Sequence, residues 1–434
     1  MEVLLTRVEG EGEALILERN GVIEGVIYKI TEAPRFFEYI VRGREMNTVV
    51  DLVSRICGLC GASYVLVASK AFEECLGVEV DERIDSLRVA IHLAERVKSH
   101  MIHLFYLNLP DLISSKTFIE LVHRNPQIAR DASHTILWSR KAMEILGGRF
   151  HNIVSIAIGG VYKVPSKEDI ERLRRDIGSV IESFKRFADF VLSLRTAPEE
   201  QQKLSLASLY SRERYPHTSS RVTINGRVCT VGEFYRDVVK VIQRPHSNAL
   251  HYRVGGVESF VVGPIARFNQ FYSSLSKEVR DLLEAYGWGA PLKNVFHSFI
   301  ARVAEVYEAL ITLKEFLQEY RQLQPQVSKL DKPLKNTVCE AAIEAPRGIL
   351  YHRYSVDERG RISFCDIITP TAQNLAAMED IATVMLRGRK IDEDSMEMVK
   401  RIAISFDPCL SCSVHTLTVK ILSKACLLYT SPSP

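Results

Sequence analysis

The sequence predicts a mainly helical α+β fold, and three observations carry that reading. From Glu79 onward apolar residues recur at helical spacing over long stretches. Two other stretches, Val3 to Thr31 and Glu340 to Thr369, alternate apolar and polar residues as half-buried strands do. No internal repeat and no composition-marked linker interrupts the chain, so a single intertwined domain is expected rather than a string of modules.

Taken in order, Val3 to Thr31 folds about Asn20-Gly21, a dipeptide suited to a tight hairpin turn. Before it, Arg7-Val8-Glu9-Gly10-Glu11-Gly12 reads as a strand ending in a Gly-rich turn. Ala33-Pro34-Arg35-Phe36-Phe37-Glu38-Tyr39-Ile40 places proline where a helix can open, with Glu38 one turn in and the Phe and Ile side chains buried. Tyr64 to Cys75 reads as a helix just after Cys57 and Cys60. Asp81 caps a helix expected to run to about Leu109, with Pro110 as its terminator. Asp131 to Leu146 is the next helix, stopped by Gly147-Gly148. Ser166-Lys167-Glu168-Asp169 resembles a capping box and opens a helix to about Leu194. Val222 to Val228 reads as a small hairpin about Asn225-Gly226. Helices follow over Leu275 to Tyr286 and Val295 to Tyr320, then strands turning at Asp357-Glu358-Arg359-Gly360. Thr371 to Leu386 and Asp394 to Ile404 are short helices that deliver the chain to Cys409.

Composition narrows the class. With 434 residues, 46% hydrophobic and 25% charged, the chain can bury a deep core. A net charge of +3 with both signs interspersed gives no footprint for nucleic acid. No charged n-region precedes an apolar segment and no apolar run approaches membrane-spanning length, so neither export nor direct membrane insertion is expected. Nine cysteines, unevenly spread, point to reduced thiols and metal chemistry rather than a secreted disulfide framework.

Two cysteine pairs share one spacing: Cys57-Gly58-Leu59-Cys60 near the N-terminus and Cys409-Leu410-Ser411-Cys412 near the C-terminus. Two thiolates so spaced can hold one metal, and four would complete a soft-ligand site. A structural zinc site, buried unligated thiols and a redox-active soft-metal centre all remain open on spacing alone. Cys75, Cys229, Cys339 and Cys365 stand apart and read as small buried hydrophobes.

Arg55 to Cys60 together with Asp407 to His415 resembles the two signature cysteine motifs of the large, catalytic subunit of NiFe hydrogenases. Arg7 to Gly12, Pro34 to Glu38, Gly147-Gly148 with His151 and Gly159-Gly160, Gly263 to Arg267, Glu344 to Gly348 and Thr369-Pro370-Thr371 resemble further blocks of that family in order, over nearly the whole chain. The Pro34 to Glu38 and Ser411 to His415 variants are most similar to the cytoplasmic, bidirectional branch, coupled to NAD(P), a deazaflavin or heterodisulfide reductase. The resemblance implies that family's fold: a core bundle of long helices with small peripheral antiparallel sheets, residues 1–415 forming one domain and 416–434 a C-terminal extension.

It also implies residue roles. Cys57 and Cys409 would be terminal nickel ligands, while Cys60 and Cys412 would bridge nickel to an iron carrying CO and cyanide. The proton of heterolytically split hydrogen would pass to the Cys409 thiolate and outward through Glu9. Arg347 would lie over the open metal position, oriented by Asp407, with Asp111 nearby. Thr371 would donate to cyanide and Pro370 line the pocket. Glu38 and His415 would ligate magnesium or another hard ion. Tyr64 stands where the family usually has a histidine that hydrogen-bonds the bridging thiolate, a departure expected to retune the site. Too few cysteines remain for an iron-sulfur cluster, so electrons must leave through an iron-sulfur small subunit and further electron-transfer subunits. A maturation endopeptidase would remove the extension after His415; Ser423 to Pro434, without apolar period, resembles translated adapter read-through. The rival readings are a non-turnover homologue, either sensor or respiratory-complex-like subunit, and a zinc-stapled scaffold.

Overall fold

The computed structural model describes residues 3–5, 12–30, 36–115, 117–212, 214–244, 247–327, 337–409 and 417–423, the first and last of these for their backbone alone. Helix α1 (Gly61–Leu76) begins directly after Cys60 and stops at Gly77, whose φ of 60° is the left-handed value glycine tolerates. It leads into a bundle of four long helices. These are α2 (Glu82–Ile102), α3 (Pro126–Gly147), α4 (Lys167–Ser193) and, after the shorter α5 (Pro264–Phe271), α6 (Ser298–Glu319). They pack as a ring, α2 on α3, α3 on α4, α4 on α6 and α6 back on α2. The caps read from sequence are present: the Asp81 carboxylate accepts from the Arg83 N–H at 2.9 Å, and the Ser166 hydroxyl from the Asp169 N–H at 3.1 Å.

Strands β1 (Val3–Leu5), β2 (Gly12–Arg19) and β3 (Val22–Ile30) belong to the N-terminal sheet, with Asn20 and Gly21 at φ 54° and 80° in the β2–β3 turn. A second sheet, β4 (Thr337–Ala345), β5 (Gly348–Val356) and β6 (Ile362–Ile368), is antiparallel throughout. Helices α7 (Pro370–Leu386) and α8 (Glu393–Phe406) then cover β3 and the bundle. Strand β7 (Leu417–Ser423) lies between β1 and β2, antiparallel to the first and parallel to the second. The N-terminal sheet is therefore mixed, not antiparallel as expected. Almost the whole chain serves as the crossover that a parallel pair requires. One contiguous apolar core runs from Ala14 to Phe406, with a smaller cluster between Ala207 and Ile368. Among the described residues no helix is long and apolar enough to cross a membrane.

Three expectations are corrected. The helix at Glu38 is four residues long, Phe37–Ile40, and buries none of them, with Phe36 and Tyr39 66% and 72% exposed. Phe36 takes a left-handed conformation that delays the helix start, leaving too little length to cover a face. Helix α2 ends at Ile102; His103–Asn108 widens into π turns, and Pro110 opens the next short helix, Leu109–Leu112, where its missing N–H is no loss. Cys75 and Cys339 are not separate thiols: their sulfurs are joined, with Cα atoms 5.0 Å apart and 264 residues of chain between them. Cys229 and Cys365 are buried thiols as read.

Candidate metal centre

The N-terminal cysteine pair is positioned by a short 3₁₀ turn, Ser54–Ile56, after which Cys57 is extended and Cys60 precedes the first residue of α1. Gly61 is required there, since a Cβ would come within 2.9 Å of the Ser54 carbonyl oxygen. The opening N–H groups of α1 are capped from outside: Ala62 and Ser63 donate to the Glu95 carboxyl of α2 at 2.7 and 3.0 Å. The Cys60 N–H donates to the Cys57 sulfur at 3.1 Å, and both side chains are buried against each other with Cα atoms 5.4 Å apart. A helix N-terminus and an N–H donor favour thiolate over thiol.

Cys409 comes to the same place from the other end of the chain. Its sulfur stands 4.0 Å from that of Cys57 across 352 residues of sequence. Its backbone N–H donates to the Thr371 hydroxyl oxygen at 3.0 Å. Because that oxygen accepts, the Thr371 O–H remains to donate elsewhere. Pro370 and Thr371 form the first turn of α7, capped by the Thr369 hydroxyl. The Cys57 and Cys60 sulfurs are drawn together to bonding distance with the Cys409 sulfur beside them, and as thiolates the three would be a donor set suited to nickel and iron. Cys412 lies outside the described residues, as do Glu9, Pro34 and His415.

Arg347 occupies the tip of the two-residue turn between β4 and β5. Its Nε donates to the Asp407 carbonyl oxygen at 2.7 Å and its Nη2 to the Asp407 carboxylate at 3.0 Å, with both side chains buried. Burial pushes the Asp407 carboxyl up, but Arg347, with His103 and Arg302, outweighs it and holds it below the usual carboxylate range. The turn is pinned by a backbone-to-backbone contact. A Cβ on Gly263 would lie 2.5 Å from the Arg347 carbonyl oxygen, and one on Gly348 would lie 2.9 Å from the Gly263 nitrogen.

Other predicted residues are placed less centrally. Asp111 lines a small cavity with Ile404 and Ser405, in the chain segment that ends at Asp407. Tyr64 is buried one turn into α1, its ring centroid 5.5 Å from that of His352, whose Nδ1 pairs with the Tyr354 hydroxyl at 2.7 Å. Glu38 accepts from the Ile367 N–H at 2.9 Å; desolvation and the Asp366 charge push its carboxyl up, an arrangement that suits a hard cation.

Sequence reasoning missed the charged core behind the Arg347 turn. Arg267 on α5 forks onto Glu305 with two 2.7 Å bonds, reaches Glu344 at 2.6 Å and donates to the carbonyl oxygens of Ala345 and Pro346. His100 and Tyr215 complete the Glu305 carboxylate at 2.7 and 2.6 Å. Arg267 had appeared only as part of a family block; a charged residue in a helical pattern otherwise reads as solvent-facing.

A family model described as nickel-dependent hydrogenase matches residues 35–140 and 249–415. Sulfhydrogenase 2 subunit alpha of Pyrococcus furiosus is 30% identical over 415 residues, covering 94% of this chain and 97% of its own length. The beta subunit of the NAD-reducing hydrogenase HoxS of Cupriavidus necator is 26% identical over 464 residues, covering 95% and 94%. Among solved structures, an NAD+-reducing NiFe hydrogenase in the H2-reduced state superposes with a TM-score of 0.83 at 22% identity, covering 96% of this chain and 99% of that one. A NiFeSe hydrogenase of Dm. baculatum gives 0.74 at 18%, with 96% and 100% covered. At those identities the likeness concerns the fold: bundle, sheets and their order.

Proposed function

Because the chain belongs to the nickel-dependent hydrogenase family and is the catalytic subunit of such an oxidoreductase, we propose that its nickel and iron are held by Cys57, Cys60, Cys409 and Cys412. The observation that carries this reading is the 4.0 Å approach of the Cys57 and Cys409 sulfurs from opposite ends of the chain, with Asp407 of the buried Arg347–Asp407 pair two residues before Cys409. When bound, the nickel–iron centre supplies the redox chemistry and the polarisation that cleaves hydrogen heterolytically. Cys57 and Cys409 would hold the nickel, and Cys60 and Cys412 would be shared between nickel and iron, the iron bringing CO and cyanide.

The chain's own groups then do the following. The Cys409 sulfur takes the proton released on cleavage and Glu9 passes it outward. Arg347 presents a fixed positive charge that cannot be lost by deprotonation, and Asp407 holds its plane through two bonds. Thr371, with its oxygen already accepting from Cys409, keeps an O–H to donate and would offer it to a cyanide nitrogen, beside Pro370. Asp111 supports the Ile404–Asp407 segment from below. Tyr64 occupies the position of the bridging-thiolate donor. Glu38 and His415 hold magnesium.

We further infer an iron-sulfur small subunit as the immediate electron acceptor, in keeping with relatives named as alpha and beta subunits. Further subunits then lead to NAD(P), a deazaflavin or heterodisulfide reductase. The working compartment is the cytoplasm, and residues 1–415 form the mature domain once a maturation endopeptidase has removed 416–434. Metal analysis tests the centre. Nickel and iron near one each, with infrared bands of CO and cyanide, support it. Zinc alone would replace it with a stapled scaffold, and a loaded centre that never turns over hydrogen with a viologen dye would indicate a sensor.

A further inference from the structure

We propose that Cys75 and Cys339 form a native, redox-cleavable cross-link that clamps the helix bearing Cys60 to the strand that leads into Arg347. Cys75 lies in the last turn of α1, whose first turn follows Cys60; Cys339 lies in β4, which ends at Ala345, two residues before Arg347. The bond therefore ties the far ends of the two elements whose near ends meet at the metal centre.

The two sulfur pairs of this chain differ in surroundings. Beside Cys57 and Cys60 stands a third sulfur, that of Cys409, and the pair opens a helix. Around Cys75 and Cys339 no third sulfur approaches among the described residues; the pair is walled by apolar core, with Cys339 fully buried and Cys75 half-buried. That setting suits a closed bond and offers a metal no further ligand.

The clamp is continuous with the metal-bearing turn. Cys339 is the cross-strand partner of Tyr354. The Tyr354 ring packs on Phe72, one turn before Cys75, with centroids 4.7 Å apart, and its hydroxyl pairs with His352. The His352 ring in turn faces Tyr64, one turn after Cys60.

Formation is a two-electron exchange: the two thiols lose two protons and two electrons to the disulfide of a thiol–disulfide oxidoreductase, which leaves as its dithiol, and a dithiol reductant reverses it. Cys339 is fully buried and Cys75 half-buried, so the Cys75 sulfur is the side from which a reducing thiolate would open the bond.

The test begins with holoenzyme purified anaerobically without reductant, unfolded in iodoacetamide and digested. Recovery of one linked species containing the Cys75 and Cys339 peptides, resolved by phosphine into two alkylatable peptides, supports the cross-link; recovery of both already alkylated overturns it. Strong reductant should lower the melting temperature of the wild-type holoenzyme by roughly 5 °C, because a loop of this length constrains the unfolded chain strongly. It should leave the Cys75→Ser/Cys339→Ser double variant unmoved. An equal reductant response in both proteins would refute the clamp, and the peptide result stands by itself should the variant fail to fold.

Discussion

Arg267 donates from Nη2 to the Pro346 carbonyl oxygen at 2.9 Å, one residue before Arg347, whose guanidinium grips Asp407. One buried arginine therefore holds both the charge balance of the core and the tip of the β4–β5 turn. Arg267, Glu305 and Glu344 have fully buried side chains, so removal of the cation leaves two buried carboxylates without their directly bonded guanidinium, with the buried Arg96 charge remaining close by. Arg267→Met is expected to cost about 3–5 kcal/mol of stability, read from the denaturant midpoint, and to lower hydrogen turnover by releasing the turn. A variant with unchanged midpoint would show that the cluster contributes nothing net.

Arg347→Lys keeps a positive charge but loses the planar fork that grips Asp407 twice. Nickel and iron content should stay at the wild-type level while hydrogen-dependent dye reduction falls by roughly a hundredfold. Loss of metal instead would place Arg347 in assembly of the centre rather than in turnover.

Tyr64 can donate one hydrogen bond but does not titrate near neutrality. Tyr64→Phe and Tyr64→His should both load metal normally, and both should change the turnover rate and shift the CO and cyanide stretching bands. Two variants with wild-type rates and bands would remove Tyr64 from contact with the bridging thiolate.

Five desolvated imidazoles bear on the acid limit of the fold: His92 and His217, which burial holds well below the usual range, and three others. Burial lowers His100 to about 4, and His103 and His352 to about 3. The folded protein therefore keeps them neutral while the unfolded chain takes up protons as pH falls below about 6.5. Stability is complete above that value and is lost as pH drops toward 4, with a slope of up to about 4 kcal/mol per pH unit from His100, His103 and His352 if all three contribute. His103→Gln retains a donor for the Ile404 carbonyl, which His103 Nε2 now meets at 2.7 Å. Its acid unfolding, followed by circular dichroism, should move to lower pH with a shallower slope.

The features that were legible in the sequence depend on neighbours within a turn or so. The Cys57–Cys60 pair, the Asn20-Gly21 turn and the Ser166 cap each arise from local chemistry, and each appears where the residues placed it. The features that were not legible depend on partners far away in sequence. Glu95 looks like an exposed helix acid until α1 is seen to start against it. Arg267 and Glu305 sit on separate helices, and no spacing announces their fork. Cys75 and Cys339 are 264 positions apart, so nothing local pairs them. The short helix at Glu38 failed differently, because a single left-handed residue, Phe36, moved its start.

The 352-residue interval between Cys57 and Cys409 also dictates an order of manufacture. A ribosome that has translated the bundle, β4 to β6 and α8 has released Cys57 and Cys60 but not yet Cys409. A centre that draws on Cys57, Cys60 and Cys409 can close only once Cys409 has been made, so the earlier pair waits unfilled while every residue between them is added.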